Sequence, residues 1–253
     1  MDELVARNLV RGYGGHRVVD QVTVSVRRGE VVGLLGRNGA GKSTTFQIVA
    51  GYVAPEEGQI LLDGADISRE PPYRRARLGL TYLPQERSVF LKLTARANVL
   101  VPLEERRVPR RERHERADSL LAEFGLAQSA GLPAYALSGG EARKLEVARA
   151  LATDPKYMLL DEPFAGIDPI NVAEMQQVIR ALRERQIGVL ISDHNVFSAF
   201  EVIDRAYIMD GGRVLVEGAP LALARDAKAR QAFLGNEFRV PPSLERALHG
   251  GRT

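Results

Sequence analysis

The 253-residue sequence contains no cysteine, so disulfides, thiol nucleophiles and thiolate metal sites are excluded. Its four histidines are scattered and form no zinc-binding cluster, so neither redox chemistry nor a structural zinc is indicated. No apolar run approaches the roughly 20 residues that a membrane-spanning helix needs. Met1-Asp2-Glu3-Leu4 lacks the basic start and apolar core of a signal peptide, and a cytoplasmic location is expected. Charge is balanced rather than extreme: a formal net charge of +3 gives a weak attraction to anionic lipid or nucleic acid and does not choose between them. With 45% hydrophobic and 26% charged residues, the chain can bury the core of one α/β domain with a subdomain.

Only five of the 35 basic residues are lysines, and one of them stands in an informative place. Gly36-Arg37-Asn38-Gly39-Ala40-Gly41-Lys42-Ser43-Thr44 follows the apolar run Val31 to Leu35 and precedes a helix-like stretch from Thr44 to Ala50, closed by Gly51. This is the pattern of a phosphate-binding loop. Glycines let successive backbone N–H groups turn toward phosphate oxygens, and the helix that follows presents its positive end. Lys42 is placed to reach the terminal phosphates and the Ser43 hydroxyl to ligate Mg²⁺. A nucleoside triphosphate is the expected ligand.

From Leu4 to Val26 the pattern is short and β-like, with Val22, Val24 and Val26 alternating with Thr23 and Ser25 as in a half-buried antiparallel strand. The segment from Thr94 to Ala152 reads as largely helical. Ala117, Leu120, Leu121 and Phe124 recur at helical spacing and imply one buried face, next to an arginine-dense stretch from Arg106 to Arg116. Apolar runs at Tyr157–Leu160, Val189–Ile191, Ala206–Met209 and Val214–Val216 are candidate strands. Three runs end in polar clusters: Val31–Leu35 in the phosphate loop, Tyr157–Leu160 in Asp161-Glu162, and Val189–Ile191 near Asp193-His194. Parallel sheets bind ligands beyond their carboxyl ends, so these clusters are expected to converge. There Asp161 is placed to hold Mg²⁺ through water, Glu162 to polarise the water that attacks the γ-phosphate, and His194 to contact that phosphate. Ser138 with Glu141 three residues on forms a capping box, and Gly139 and Gly140 expose N–H groups at the same helix start, making a second phosphate cradle. If one chain cannot bring its two cradles to one nucleotide, two chains arranged head to tail can.

With these elements in this order, the chain resembles the nucleotide-binding subunits of ATP-binding cassette (ABC) transporters over nearly its whole length. The resemblance implies an α/β cassette of the phosphate-loop NTPase type, with a mixed, mostly parallel core sheet, an N-terminal antiparallel β-subdomain and an inserted helical subdomain at about 86–155. One cassette is expected over 1–240, followed by a tail at 241–253. In that tail, Pro241-Pro242 breaks regular structure, and Leu244, Ala247 and Leu248 allow one or two amphipathic turns. Carried over by position, Tyr13 is similar to the family's adenine-stacking aromatic residue, although a strand or turn tyrosine is the plain alternative. Gln85 is similar to the glutamine that meets Mg²⁺ and the attacking water, Ser138-Gly139-Gly140 to the signature sequence, and Asp168 to the dimer-contact loop. Asp161, Glu162 and His194 match the metal-site aspartate, the catalytic glutamate and the switch histidine. ATP and Mg²⁺ are the implied cofactors, and a homodimer on two membrane permease subunits the implied assembly, attached peripherally to the cytoplasmic face of the inner membrane. Glu141 departs from the family's usual glutamine and adds a negative charge near the second cradle. Arg37 departs from its usual proline or serine.

Leu83-Pro84-Gln85-Glu86 with Ser88 and Phe90, the Asp161 to Ile170 stretch, Ser192 to Val196 and Phe233 to Arg239 are similar to the lipopolysaccharide-export ATPases within that family. The ATPases of branched-chain amino-acid importers are the nearest alternative. Phe90 and Leu93 are then either permease-docking residues beside Gln85 or core residues. A cassette acting on DNA or ribosomes is the alternative class. It is disfavoured because the DNA-acting form needs a coiled-coil insertion between the phosphate loop and the signature, where no heptad repeat lies, and the ribosome-associated form normally carries two cassettes where this chain has one, so no nucleic-acid partner is expected. The Arg106 to Arg116 stretch reads as a solvated helix face, with contact to anionic headgroups as the other reading.

Overall fold

The computed structural model describes residues 2–166, 168–235, 237–242 and 244–245. Two sheets are built from β1 (Glu3–Tyr13), β2 (His16–Arg27), β3 (Val31–Gly36), β4 (Glu57–Leu62), β5 (Ala65–Asp66), β6 (Leu80–Leu83), β7 (Tyr157–Asp161), β8 (Gly188–Asp193), β9 (Arg205–Asp210) and β10 (Arg213–Gly218). The first sheet runs β2-β1-β4-β5 and is antiparallel. Val22, Val24 and Val26 are buried and Thr23 is exposed, as the alternation requires of a sheet with one wet face. The second sheet runs β10-β9-β3-β8-β7-β6, parallel throughout except for the β9/β10 hairpin. Every residue of β3, β7 and β8 is buried, which matches strands covered on both faces and explains their continuous apolar sequence.

Three strands have no counterpart among the runs that periodicity picks out. The hairpin β4/β5 turns through Asp63 at φ 51° and Gly64 at φ 87°, so the Asp-Gly pair was its local signal. The four residues of β6 are too few for an alternation to register.

Helix α1 (Lys42–Ala50) begins two residues earlier than the Thr44 start expected, because Gly41 at φ 100° acts as its N-cap and draws Lys42 into the first turn. Gly51, in the left-handed conformation, closes the helix as expected. After α2 (Pro72–Leu78), the chain between β6 and β7 forms α3 (Ala95–Glu105), α4 (Arg110–Glu123) and α5 (Gly139–Leu151). Ala117, Leu120, Leu121 and Phe124 of the α4 region are all buried, and they join Val99 and Leu103 of α3 and Leu145 of α5 in one apolar cluster. The opposite face of α4 is solvated. Its arginines pair with acidic neighbours, Arg113 with Glu104 at 3.0 Å, Arg111 with Glu115 at 3.1 Å and Arg116 with Asp154 at 3.5 Å.

Helix α6 (Pro169–Glu184) packs against β8, α7 (Val196–Phe200) follows β8, and α8 (Pro220–Arg225) follows β10. Beyond Val240, Pro241 is buried and accepts hydrogen bonds from the N–H groups of Leu244 and Glu245, while Leu244 packs against the main core. Ala247 and Leu248, which were to complete the amphipathic turn, lie outside the described residues.

Candidate functional site

The parallel strand order brings the three polar strand ends to one edge of the sheet. There a cleft of about 490 Å³ is walled by Asn38, Gly39, Gly41 to Thr44, Gln85, Glu162, His194 and Val18. Gly41 carries no side chain for a steric reason: a Cβ on it would stand 2.4 Å from the Val18 carbonyl oxygen, besides being strained at φ 100°. Lys42 is almost fully buried. Its ammonium donates to the Gly36 carbonyl at 2.8 Å and the Arg37 carbonyl at 3.1 Å, folding the loop around itself. Ala40 N–H donates to the Arg37 carbonyl at 3.1 Å and tightens the same turn. Burial holds the Lys42 ammonium below the usual lysine range, against the opposing pull of Glu162, Asp161 and Asp193.

Strands β7 and β8 carry the acidic wall. Asp161 is buried between two hydroxyl donors, Ser192 on its Oδ1 and Tyr82 at 3.0 Å on its Oδ2. Ser192 stands opposite Asp161 in the β7/β8 register. The next residue, Glu162, leaves the strand at φ 47° and is anchored by its N–H to the Ser192 carbonyl at 2.8 Å. Its Oε2 accepts from Gln85 Nε2 at 3.0 Å and lies 3.2 Å from His194 Nδ1. Residues 77 and 32 positions away in the chain thus meet on a single oxygen. Asp193, fully buried, receives the N–H groups of Phe164 at 3.0 Å and Asn195 at 2.7 Å and so braces both loops. Burial raises its carboxyl above the ordinary aspartate range, and those two N–H groups only partly offset the rise.

The second glycine-bearing helix start opens elsewhere. Ser138 and Glu141 form the expected capping box: the Ser138 hydroxyl accepts from the Glu141 N–H at 3.3 Å, and the Ser138 N–H donates to Glu141 Oε2 at 3.0 Å. The Ser129 hydroxyl donates to the other Glu141 oxygen at 2.8 Å. The carboxylate is therefore spent on its own helix start, and the Ser138 N–H with the two serine hydroxyls keeps it below the usual glutamate range. Gly139 lines a separate cleft of about 140 Å³, which shares only Gln85 and Glu162 with the first. Gly140 lies against the start of α6, where a Cβ would stand 2.2 Å from Asn171 Oδ1. Asp168 accepts from the Asn171 N–H at 3.1 Å.

Tyr13 stands at the β1/β2 turn, about half exposed and outside the walls of the main cleft, with the Arg11 guanidinium 4.9 Å from its ring centre. Phe90 and Leu93 are exposed rather than core residues, and Arg149 lies 5.2 Å over the Phe90 ring. The backbone beneath them is clamped by buried Asn98, which accepts from the Phe90 N–H and donates to the Phe90 and Thr94 carbonyls. Tyr82, Val18 and Asn171 belong to these sites without having been singled out by any sequence motif, and Ser192 was given no role there beyond its place in the Ser192 to Val196 stretch. Only cross-strand register and loop packing bring them there.

A glycine-rich loop folded around a buried lysine, set beside a carboxylate–glutamine–histidine cluster at the carboxyl edge of a parallel sheet, defines a nucleoside-triphosphate-binding α/β protein. The family model described as ABC transporter matches residues 19–165. A probable ABC transporter ATP-binding protein of Azorhizobium caulinodans is 51% identical over 94% of this chain and 84% of its own length. The lipopolysaccharide export system ATP-binding protein LptB of Acidithiobacillus ferridurans is 50% identical over 95% of this chain and all of its own length. The crystal structure of the ADP conformation of an ATP-binding cassette of an ABC transporter is similar at TM-score 0.83 and 26% identity, covering 93% of this chain and all of that one. The chain belongs to the ABC transporter family, as its ATP-binding subunit. It is an ATPase that couples ATP hydrolysis to transport.

Proposed function

We propose that this chain powers lipopolysaccharide export as a homodimer seated on two membrane permease subunits at the cytoplasmic face of the inner membrane. The observation that supports the substrate is the 50% identity, over 95% of this chain, to a protein named lipopolysaccharide export system ATP-binding protein. Among the described residues no helix is long and apolar enough to cross a membrane. The exposed Phe90 and Leu93, on a backbone fixed by Asn98 and close to Gln85, are the docking surface in this reading. Residues 1–240 act as one cassette, with 86–155 as its helical subdomain and 241–253 as a tail.

In the nucleotide site, Lys42 and the N–H groups of Gly39 to Thr44 bind the phosphates, and Tyr13 stacks on the adenine. The donors suit Mg²⁺ held jointly with phosphate: the exposed Ser43 hydroxyl and the Gln85 amide offer hard oxygen atoms, and the Asp161 carboxylate would reach the cation through water. When bound, Mg²⁺ supplies neutralisation of charge on the β- and γ-phosphates. Glu162 takes the proton of the attacking water, Gln85 orients that water, and His194 contacts the γ-phosphate from the shared Glu162 oxygen. Gly139 lines a cleft other than the one walled by the phosphate loop, so in this reading the signature at Ser138 to Gly140 serves the nucleotide of a second copy, with Asp168 at the contact between copies. ATP then closes the dimer, and hydrolysis reopens it.

The test is purification from membranes with identification of what accompanies the chain, followed by its depletion in the living cell. Two permease subunits and a build-up of lipopolysaccharide in the inner membrane are expected. Recovery with ribosomes or DNA, or ATPase activity that answers to branched-chain amino-acid uptake, would overturn the substrate assignment.

A further inference from the structure

Strand β6 delivers two successive hydrogen bonds to the acidic pair. Gln85, just beyond its end, donates to Glu162, and three residues earlier the Tyr82 hydroxyl donates to Asp161 Oδ2 at 3.0 Å. Tyr82 is not part of any phosphate loop, signature or metal motif, yet its ring is fixed from two sides. Phe46 of α1 meets it edge-on at 6.5 Å between ring centres, and Tyr52 lies tilted at 5.7 Å. The other Asp161 oxygen is held by Ser192 from the opposite neighbouring strand. A buried carboxylate gripped on each oxygen by a different strand has its plane set before any ligand arrives.

We infer that Tyr82 is a positioning residue that orients Asp161 for the divalent cation and ties that orientation to the segment carrying Gln85. This inference rests on the reading of Asp161 as a cation-site carboxylate. Hydrogen-bond partners of metal-site carboxylates typically contribute ten- to a hundredfold to metal affinity or activity. The hydroxyl of Tyr82 reaches Asp161 from the helix-facing side of β6, where Phe46 links it to the helix that starts at Lys42. A displacement of the Gln85 segment, whether from docking or from nucleotide, therefore pulls on Asp161 through one strand.

The experiment is titration of the full chain with Mn²⁺, read by electron paramagnetic resonance in the presence of a non-hydrolysable ATP analogue. Affinity for the same analogue in EDTA is measured in parallel. Tyr82→Phe keeps the ring and its aromatic neighbours and removes only the hydroxyl. Mn²⁺ affinity should fall about tenfold, with metal-free nucleotide affinity within twofold of wild type. Asp161→Asn serves as the reference. If Asp161→Asn loosens Mn²⁺ and Tyr82→Phe does not, the positioning role is wrong and the cation site stands. If Asp161→Asn leaves Mn²⁺ affinity unchanged, the cation site falls and the role of Tyr82 with it. A parallel loss of metal-free nucleotide binding in Tyr82→Phe would mark a packing role and equally overturn the inference.

Discussion

Replacing Glu162 by glutamine tests the proposed chemistry with little geometric disturbance. One oxygen of Glu162 takes both the Gln85 contact at 3.0 Å and the His194 contact at 3.2 Å, and a glutamine carbonyl oxygen can take the same two. The backbone N–H bond to Ser192 is untouched, so the side chain keeps its place and loses only basicity and charge. A positioned general base contributes about 10²–10⁴ to a rate, or about 2.7–5.4 kcal/mol at 1.36 kcal/mol per decade. Turnover in Glu162→Gln should fall by at least about a hundredfold. ATP binding should move the other way. Of the carboxylates that offset the burial of Lys42, Glu162 is the foremost, and its neutralisation leaves more of the Lys42 charge for the phosphates. Steady-state phosphate release at saturating ATP reads the first effect, equilibrium binding of a fluorescent ATP analogue the second, and light scattering with ATP the accumulation of closed dimers. Turnover above about a tenth of the wild-type rate would refute the assignment of Glu162 as the base.

Two further outcomes concern stability. Glu146 is buried and accepts from the Ser88 N–H, the Ser88 hydroxyl at 3.2 Å and Arg143 at 2.7 Å, tying α5 to the loop that follows Gln85. Glu146→Ala strands these donors and should cost about 3 kcal/mol, read as a drop of roughly 6–12 °C in melting temperature for a chain of this size, whereas Glu146→Gln should cost clearly less. Asp63 accepts from Lys156 and from the Tyr157 hydroxyl, each at 2.7 Å; burial pushes its carboxyl up, but these two bonds outweigh it and hold it below the usual aspartate range. A depressed folded value adds stability above the unfolded value that is lost as pH falls through the folded one. Denaturant unfolding of Asp63→Asn at pH 6 and pH 3.5 should therefore show a smaller loss on acidification than wild type, and an equal loss would contradict the role given to this pair.

The second cradle illustrates how a local departure from a family pattern can be neutral. Glu141 places a carboxylate where an uncharged amide is usual, next to an expected phosphate site. Its two oxygens are consumed by the Ser138 N–H, the Ser138 hydroxyl and the Ser129 hydroxyl. Such a carboxylate stabilises the helix start by meeting otherwise unpaired N–H groups and the positive end of the helix dipole. Its charge faces its own helix rather than an open cradle.

Short-range signals were legible in the amino-acid order alone. The phosphate loop, the capping box at Ser138 and Glu141, the Gly51 stop, the alternation at Val22 to Val26 and the buried face of α4 each depend on residues within a turn or two of one another. Backbone sterics and side-chain periodicity act at that range. The parallel-sheet logic also placed the strand ends correctly, because runs apolar on both faces admit few other arrangements. What needed the tertiary structure was every contact set by register. Gln85 and His194 share one Glu162 oxygen, Ser192 faces Asp161 across β7 and β8, and Tyr82 reaches the same carboxylate from β6. The exposure of Phe90 and Leu93 was likewise undecided until packing was known, since an apolar side chain carries the same local pattern whether it fills a core or waits on a surface. The contacts at Glu162 and Asp161 join residues about 30 to 80 positions apart, and no window of sequence records which residue will stand opposite which.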